Sequence, residues 1–145
     1  YSLVVFQKHD FSQQIFEQNY PRISGAFAKL KRKKRLNRSD DIQRVRQRGR
    51  SFSHPMVVLT TLMDPNIGES KIGIIATKSV GGAVSRNRSK RLIRAAIEPY
   101  TDQLKPNYHL VWIARKPILE ADIENVSKAV YSLLKKAEVL LPSSQ

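Results

Sequence analysis

The sequence predicts an α+β fold in which a mixed sheet is packed by about three helices. Three segments rich in β-branched residues are typical of strands, and three with apolar residues three or four positions apart are typical of amphipathic helices. Their order is helix, strand, strand, helix, strand, helix, which favours one sheet backed by helices. A chain of 145 residues with 41% hydrophobic residues can bury one such core.

The predicted strands are bounded by turn-forming residues. They cover residues 55–63, 71–77 and 108–115. The first two are joined by the sequence DPNIGE, whose Pro, Asn and Gly favour a turn. Gly81 and Gly82 form a loop after the second strand, and Pro117 ends the third.

Three amphipathic segments predict the helices. The first has Ser39 as its N-cap, two Asp residues in its first turn, and an end near Gly49. The second covers residues 84–97 and stops before Pro99, because proline disfavours helix in the residue before it. The third covers residues 121–140, and its apolar stripe is Ile123, Val126, Val130, Leu133 and Leu134.

Composition divides the chain into three parts. Residues 1–28 are charge-balanced and rich in aromatic residues, and we expect them to be an appended segment, disordered or docked onto the domain. Residues 29–140 are expected to form one domain that begins with a basic arm, and residues 141–145 a frayed tail.

The formal net charge of +14 is concentrated in two segments. Residues 29–50 carry 11 basic and 2 acidic side chains, and residues 86–94 add five basic ones, while the rest of the chain balances to zero. This segregation is typical of a surface that binds a polyanion. Nucleic acid is the first candidate, an anionic membrane surface the second, and a merely solvated basic face the third.

The sequence offers no catalytic or metal-binding constellation. The chain lacks Cys, which excludes disulfides and thiolate metal sites and fits a reducing compartment. His9, His54 and His109 are each expected to be satisfied or exposed rather than to act as ligands. No apolar run is long enough to span a bilayer. As an enzyme acting alone, the chain is poorly equipped.

The second predicted helix lies in the sequence AVSRNRSKRLIRAAI, which has five basic and no acidic residues. On a helix, Arg86, Lys90 and Arg94 stand four apart and form one row. The expected core-facing residues are Val84, Leu92, Ile93, Ala96 and Ile97. Like charges at this spacing repel each other, and phosphate groups offset that repulsion. The preference for Arg over Lys suits the planar, bidentate contact with phosphate.

The same segment carries a recognisable signature. It has an Arg-Asn-Arg core, then Lys-Arg and a further Arg, after a Gly and an Ala-Val pair: Gly82, Ala83, Val84, Arg86, Asn87, Arg88, Lys90, Arg91 and Arg94. By this motif the chain resembles the protein subunit of bacterial ribonuclease P. The sequences RLNRSDDIQRVRQRGRS, KIGIIATKSVGGAV and YHLVWIARKP extend the resemblance to about residues 33–138.

The resemblance implies a role in maturing the 5′ end of precursor tRNA. In that family the catalyst is an RNA subunit with bound magnesium, so the resemblance implies no catalytic residue and no organic cofactor in the protein, leaves its own metal ligands unknown, and places it in the cytoplasm. It implies a three-layer α/β sandwich with a left-handed βαβ crossover, against the usual handedness. The residues it assigns to the catalytic RNA are Arg86, Asn87, Arg88, Lys90, Arg91 and Arg94.

The resemblance also implies a cleft for the single-stranded 5′ leader, between the first helix and the sheet. The residues expected there are Arg35, Arg38, Ile42, Arg46, Thr60 and Lys78. Ile42, Arg46 and Thr60 stand where the family commonly has aromatic residues, so charge is expected to replace base stacking. Phe52, or an aromatic from residues 1–28, is a candidate replacement for the stacking.

Two other classes remain as alternatives. A structural RNA-binding protein, such as a ribosomal component, can share this fold and this charge. A DNA-binding helix-turn-helix module needs two adjacent helices, and the strands on both sides of residues 83–97 argue against it.

Overall fold

Residues 34–142 of this computed structural model form three α-helices, four strands and two 3-10 helices. The helices are α1 (Ser39–Arg48), α2 (Ala83–Ile97) and α3 (Ile123–Ala137). The strands are β1 (Arg50–Ser53), β2 (Val57–Met63), β3 (Lys71–Ile75) and β4 (Tyr108–Ala114). The 3-10 helices Glu98–Gln103 and Lys116–Glu120 follow α2 and β4. The appended segment predicted at residues 1–28, residues 29–33 of the arm and the last three residues lie outside the described range.

The strands form one mixed sheet in the order β1-β2-β4-β3. β1 and β2 are antiparallel, as are β2 and β4, whereas β3 and β4 are parallel and are joined through α2. The predicted mixed sheet is therefore confirmed, with a βαβ unit at the β3 edge. β1 was not predicted, because its sequence RSFS is short, polar and without a clear alternation.

Each face of the sheet is covered by helices. α2 and α3 cover one face, where the largest buried side chains of the strands include Leu59, Leu110 and Trp112. α1 covers the other face, where Val45 packs with Val111 in a smaller cluster. The result is the predicted sandwich of helix, sheet and helix, and it leaves the outward side of α2 open.

The helix ends differ from prediction where local hydrogen bonding decides them. The N-cap of α1 is Arg38 rather than Ser39, with extended backbone and no side-chain cap bond. α3 begins at Ile123, later than predicted, because the Asp122 side chain accepts the N–H of Asn125 at 2.9 Å and so caps it. It ends at Ala137 because Glu138 adopts the left-handed conformation, with φ of 57°.

Gly49 lets the chain turn sharply from α1 into β1. Its N–H donates to the carbonyl of Val45 at 2.8 Å, which closes the helix. A Cβ at this position would lie 2.5 Å from the Val45 oxygen and 2.6 Å from the Thr61 oxygen. Glycine is required here by close backbone approach, since its φ of −79° suits any residue.

Candidate nucleic-acid interface

The outward face of α2 is cationic and open. Asn87, Arg88 and Arg91 are exposed, and three- and four-residue spacing places them on one side of the helix. Val84 lies on the same side and is 83% exposed, so the prediction that it faces the core is wrong. Val84 lies in the first turn of the helix, whereas Ile93, Ala96 and Ile97, further along it, are buried as predicted.

The predicted row of Arg86, Lys90 and Arg94 lies along the margin of α2. All three side chains are half-buried, between the exposed face and the core face. Ser89 is fully buried between them and the core, where its hydroxyl donates to the Arg86 carbonyl at 2.8 Å. α2 therefore presents two adjoining cationic rows and, in residues 83–97, no carboxylate to neutralise them.

Arg94 meets a residue from a distant part of the chain. It lines a hollow of about 230 Å³ at the edge of β3 together with Arg35 and Asn37. Burial lowers the pKa of the Arg94 guanidinium, and the nearby charges of Arg35 and Arg91 lower it further. The side chains that line this hollow, all in the described part of the chain, include donors from Arg35, Asn37 and Arg94 but no Asp or Glu. An anion is the ligand that such a hollow favours.

The basic arm is held in place by backbone pairing. Arg35 forms a parallel bridge with Ile72, and the N–H of Leu36 donates to the Ile72 carbonyl at 2.7 Å. Gly73 allows this approach, because a Cβ there would lie 2.9 Å from the Leu36 oxygen. The arm thus adds to the outer edge of β3, and this places Arg35 beside Arg94 of α2.

The residues predicted for the leader cleft lie in several separate parts of the structure. Ile42 and Arg46 line a separate hollow of about 580 Å³ along α1, together with Gln43 and Gln47. Arg38 is exposed at the start of α1, and Lys78 is exposed in the loop between β3 and α2. Asn37, Gln43 and Gln47 also line these hollows, and the sequence marks them only by their position beside the predicted Arg residues.

Thr60 is buried in the fold, and Phe52 faces the other side of the sheet from α1. Thr60 is 2% exposed, and its hydroxyl is 3.0 Å from that of Ser51. Its burial follows from Gly49, which brings the end of α1 down onto this part of β2. Phe52 is half-buried and packs against the core cluster on the face of the sheet opposite α1.

A buried polar network lies under α1. The Nη2 of Arg44 donates to Oδ2 of Asp64 at 3.1 Å and lies 3.5 Å from Nδ1 of His109, which is 2% exposed. Burial lowers the pKa of His109, and the charge of Arg44 adds to the effect. A hydrogen bond from the Asn66 N–H is the main cause that lowers the pKa of Asp64. His109 is therefore satisfied within the fold, as predicted.

His54 also has a structural role. Nδ1 of His54 accepts the N–H of Met56 at 3.1 Å, and burial together with Lys136 lowers its pKa. Across residues 34–142, no group of three or more His, Asp or Glu side chains could hold a metal ion. None of the helices in the same range is long and apolar enough to cross a membrane.

Comparison with known proteins agrees with this arrangement. Residues 30–138 match the family described as Ribonuclease P. The ribonuclease P protein component of Listeria welshimeri is 38% identical over 111 residues, which cover 77% of this chain and 93% of the relative. The chain belongs to the ribonuclease P protein family.

Other members of the ribonuclease P protein family are similar over the same region. The protein component of Bacillus velezensis is 37% identical over 115 residues, which cover 79% of this chain and 98% of the relative. The RNase P protein of Staphylococcus aureus has the same fold, with a TM-score of 0.68 and 27% identity over 74% of this chain and 97% of that one. The chain is thus a protein subunit of the RNA–protein endoribonuclease that matures tRNA 5′ ends, and it works with an RNA subunit.

Proposed function

We propose that the chain binds the RNA subunit of ribonuclease P with α2 and the 5′ leader of precursor tRNA with the arm and α1. The residues proposed for the RNA subunit are Arg86, Asn87, Arg88, Lys90, Arg91 and Arg94. The residues proposed for the leader are Arg35, Arg38, Ile42, Arg46 and Lys78. The observation that carries the proposal is that Arg35 and Arg94, one from each set, line a single hollow without a carboxylate among its described lining residues.

The position of Arg35 beside Arg94 suggests how the protein assists the RNA. A phosphodiester in the hollow would be contacted by guanidinium groups of the arm and of α2 at once, since planar guanidinium groups bind phosphate oxygens in a bidentate way. A phosphate held there would fix the distance between leader and RNA subunit. The protein then contributes binding energy and orientation, while bond cleavage belongs to the RNA.

The chemistry of hydrolysis is expected to come from the RNA subunit and its metal ions. Magnesium held by the RNA subunit would stabilise the charge that develops on the attacking and leaving oxygens of the phosphodiester. No organic cofactor is needed for that hydrolysis. We place the activity in the cytoplasm, where precursor tRNA is processed.

A cleavage assay tests the proposal directly. The full chain is mixed with bacterial ribonuclease P RNA and a precursor tRNA with a 5′ leader, at low magnesium where the RNA alone is nearly inactive. The expected result is cleavage at the mature 5′ end. Changing Arg86, Arg88 and Arg91 together to Ala should abolish this rescue and reduce the salt slope of RNA binding by about two to three units.

A charge-matched control separates a specific site from general basicity. Changing Lys128, Lys135 and Lys136 to Ala removes three positive charges from α3, away from the proposed surface. That variant should still rescue cleavage. Tight RNA binding by the wild type without any rescue would instead identify a structural RNA-binding protein, and equal losses in both variants would refute the assignment of α2.

A further inference from the structure

Val84 is an apolar side chain at the N-terminal end of the cationic surface of α2. It is the most exposed of the three large hydrophobic residues that are exposed within residues 34–142, the others being Met63 at 60% and Leu141 at 47%. Asn87 and Arg88 follow it three and four positions later, and Arg91 seven positions later, so all four share one side of α2. The space beside this end of α2 is also open, since a Cβ built on the N-cap residue Gly82 would have no heavy atom within 4 Å.

A single exposed valine is ordinary on a protein surface, and its position is what matters here. Val is a weaker helix former than Ala, and the first turn of a helix favours acidic or capping side chains. The first turn of α2 has no acidic residue, and its N-cap, Gly82, has no side-chain cap bond. Neither helix stability nor core packing therefore accounts for valine at this position.

Resting on the proposed function, we infer that Val84 is a contact for the RNA subunit and packs against the uncharged face of a nucleotide. Arg88 and Arg91, about one and two turns further along α2, hold phosphates of the adjoining backbone in the same binding event. Phosphate contacts alone give affinity that is largely independent of sequence and falls steeply with salt. An apolar contact beside them adds affinity that salt does not screen.

The charges around Val84 favour RNA over a protein as the occupant. Residues 83–97 contain five basic and no acidic side chains, so a protein partner would need an acidic patch with an apolar site beside it. A nucleotide offers both features in one unit, because its phosphates are anionic and its ribose and base present apolar surface. The outward row on α2 has the matching order, with an apolar residue at one end followed by basic residues.

The test measures binding of the full chain to ribonuclease P RNA across a range of salt concentrations. Val84→Ala should weaken binding about fivefold at every salt concentration, the loss expected for two partly buried methyl groups. The slope of affinity against salt should stay unchanged. Alanine favours the helix, so misfolding cannot explain this loss.

Two further variants make the outcome decisive. Arg88→Ala should weaken binding and also flatten the salt slope by about one unit. Met63→Ala, at an exposed apolar residue outside the proposed surface, should change neither. If Val84→Ala binds like the wild type while Arg88→Ala does not, the inference is wrong, the proposed function stands, and a protein partner becomes the better occupant. A flattened slope in Val84→Ala would overturn the inference too, whereas full affinity in Arg88→Ala would overturn the proposed function.

Discussion

The ammonium group of Lys34 lies 2.7 Å from Oδ1 of Asp102 and 3.2 Å from the carbonyl oxygen of Thr101. The two partners differ in burial, since the Lys34 side chain is 8% exposed and that of Asp102 is 77% exposed. This ion pair fastens the arm to the 3-10 helix that follows α2. It therefore helps to fix Arg35, the next residue, beside Arg94.

The unequal burial predicts unequal effects of removing each partner. Asp102→Asn leaves a buried ammonium group without its carboxylate, and we expect it to weaken docking of the arm by about 1 kcal/mol. Lys34→Met leaves only an exposed carboxylate and keeps the apolar stem, so its effect should be smaller. Hydrogen exchange of the Leu36 amide, which bonds to Ile72, measures arm docking without global unfolding. Equal acceleration of exchange in both variants would contradict this explanation.

Gly49 and Gly82 provide a matched pair for testing close backbone approach. Gly49→Ala forces a Cβ to within 2.6 Å of two carbonyl oxygens, and we expect it to lower the free energy of unfolding by about 1–3 kcal/mol. Gly82→Ala meets nothing within 4 Å and has a φ of −73°, so its cost should be limited to the poorer N-cap that Ala provides, about 0.5 kcal/mol. Denaturant unfolding of both variants compares them, and similar stability would show that α1 and β1 can separate at Gly49 without cost.

The buried His109 predicts how stability depends on pH. Its pKa is lowered in the folded state from an ordinary value of 6.5, because burial and Arg44 disfavour the charged ring. Lys71 acts in the same direction, and Asp64 and Asp41 act against it. The unfolded chain then binds more protons than the folded chain below pH 6.5. The free energy of unfolding should therefore be highest above that pH and fall as the pH decreases through 6.5.

Replacement of each His separates their contributions. His109→Leu should reduce the decline in stability between about pH 6.5 and pH 5, although it also removes a neighbour of Arg44. The pKa of His54 is lowered as well. His54→Gln therefore serves as the comparison and should remove a separate part of the loss of stability at low pH. Denaturant unfolding at several pH values provides the measurement. An unchanged pH profile in His109→Leu would mean that the fold does not lower the pKa of this ring.

The order of the elements could be predicted from the sequence because each rests on local patterns. α2 is an example, since the basic residues and the apolar residues at positions 93, 96 and 97 define its two faces. Val84 shows the limit of this reasoning, because an apolar residue in the first turn fits the helix pattern whether or not the core reaches it. β1 shows another limit, since the pairing of RSFS depends on β2 rather than on its own sequence.

The candidate site depends on contacts between distant residues, and these could not be predicted from spacing. Arg35 and Arg94 were placed in different surfaces, although backbone pairing of the arm with β3 brings them to one hollow. Thr60 was expected on the cleft surface, but the close approach at Gly49 buries it. In both cases the deciding interaction joins segments that are separated in sequence.

The hollow shared by Arg35 and Arg94 predicts that their contributions to RNA binding are coupled. If both guanidinium groups contact one phosphate, the first substitution by Ala removes most of the benefit, and the second removes less. The loss of binding free energy for precursor tRNA, measured with the holoenzyme, should therefore be smaller in the double variant than the sum of the two single losses. The difference should be about 1 kcal/mol. The coupling should shrink as salt is raised, because both contacts are ionic.

A second cycle provides the control for this coupling. Arg35 and Lys128 lie in different parts of the fold, in the arm and in α3, and Lys128 pairs with Glu124 at 3.3 Å. Their losses should add, because residues without a shared partner rarely interact. Additive losses in the Arg35 and Arg94 cycle as well would show that the two residues bind separate phosphates, and the arm and α2 would then act as independent RNA-binding surfaces.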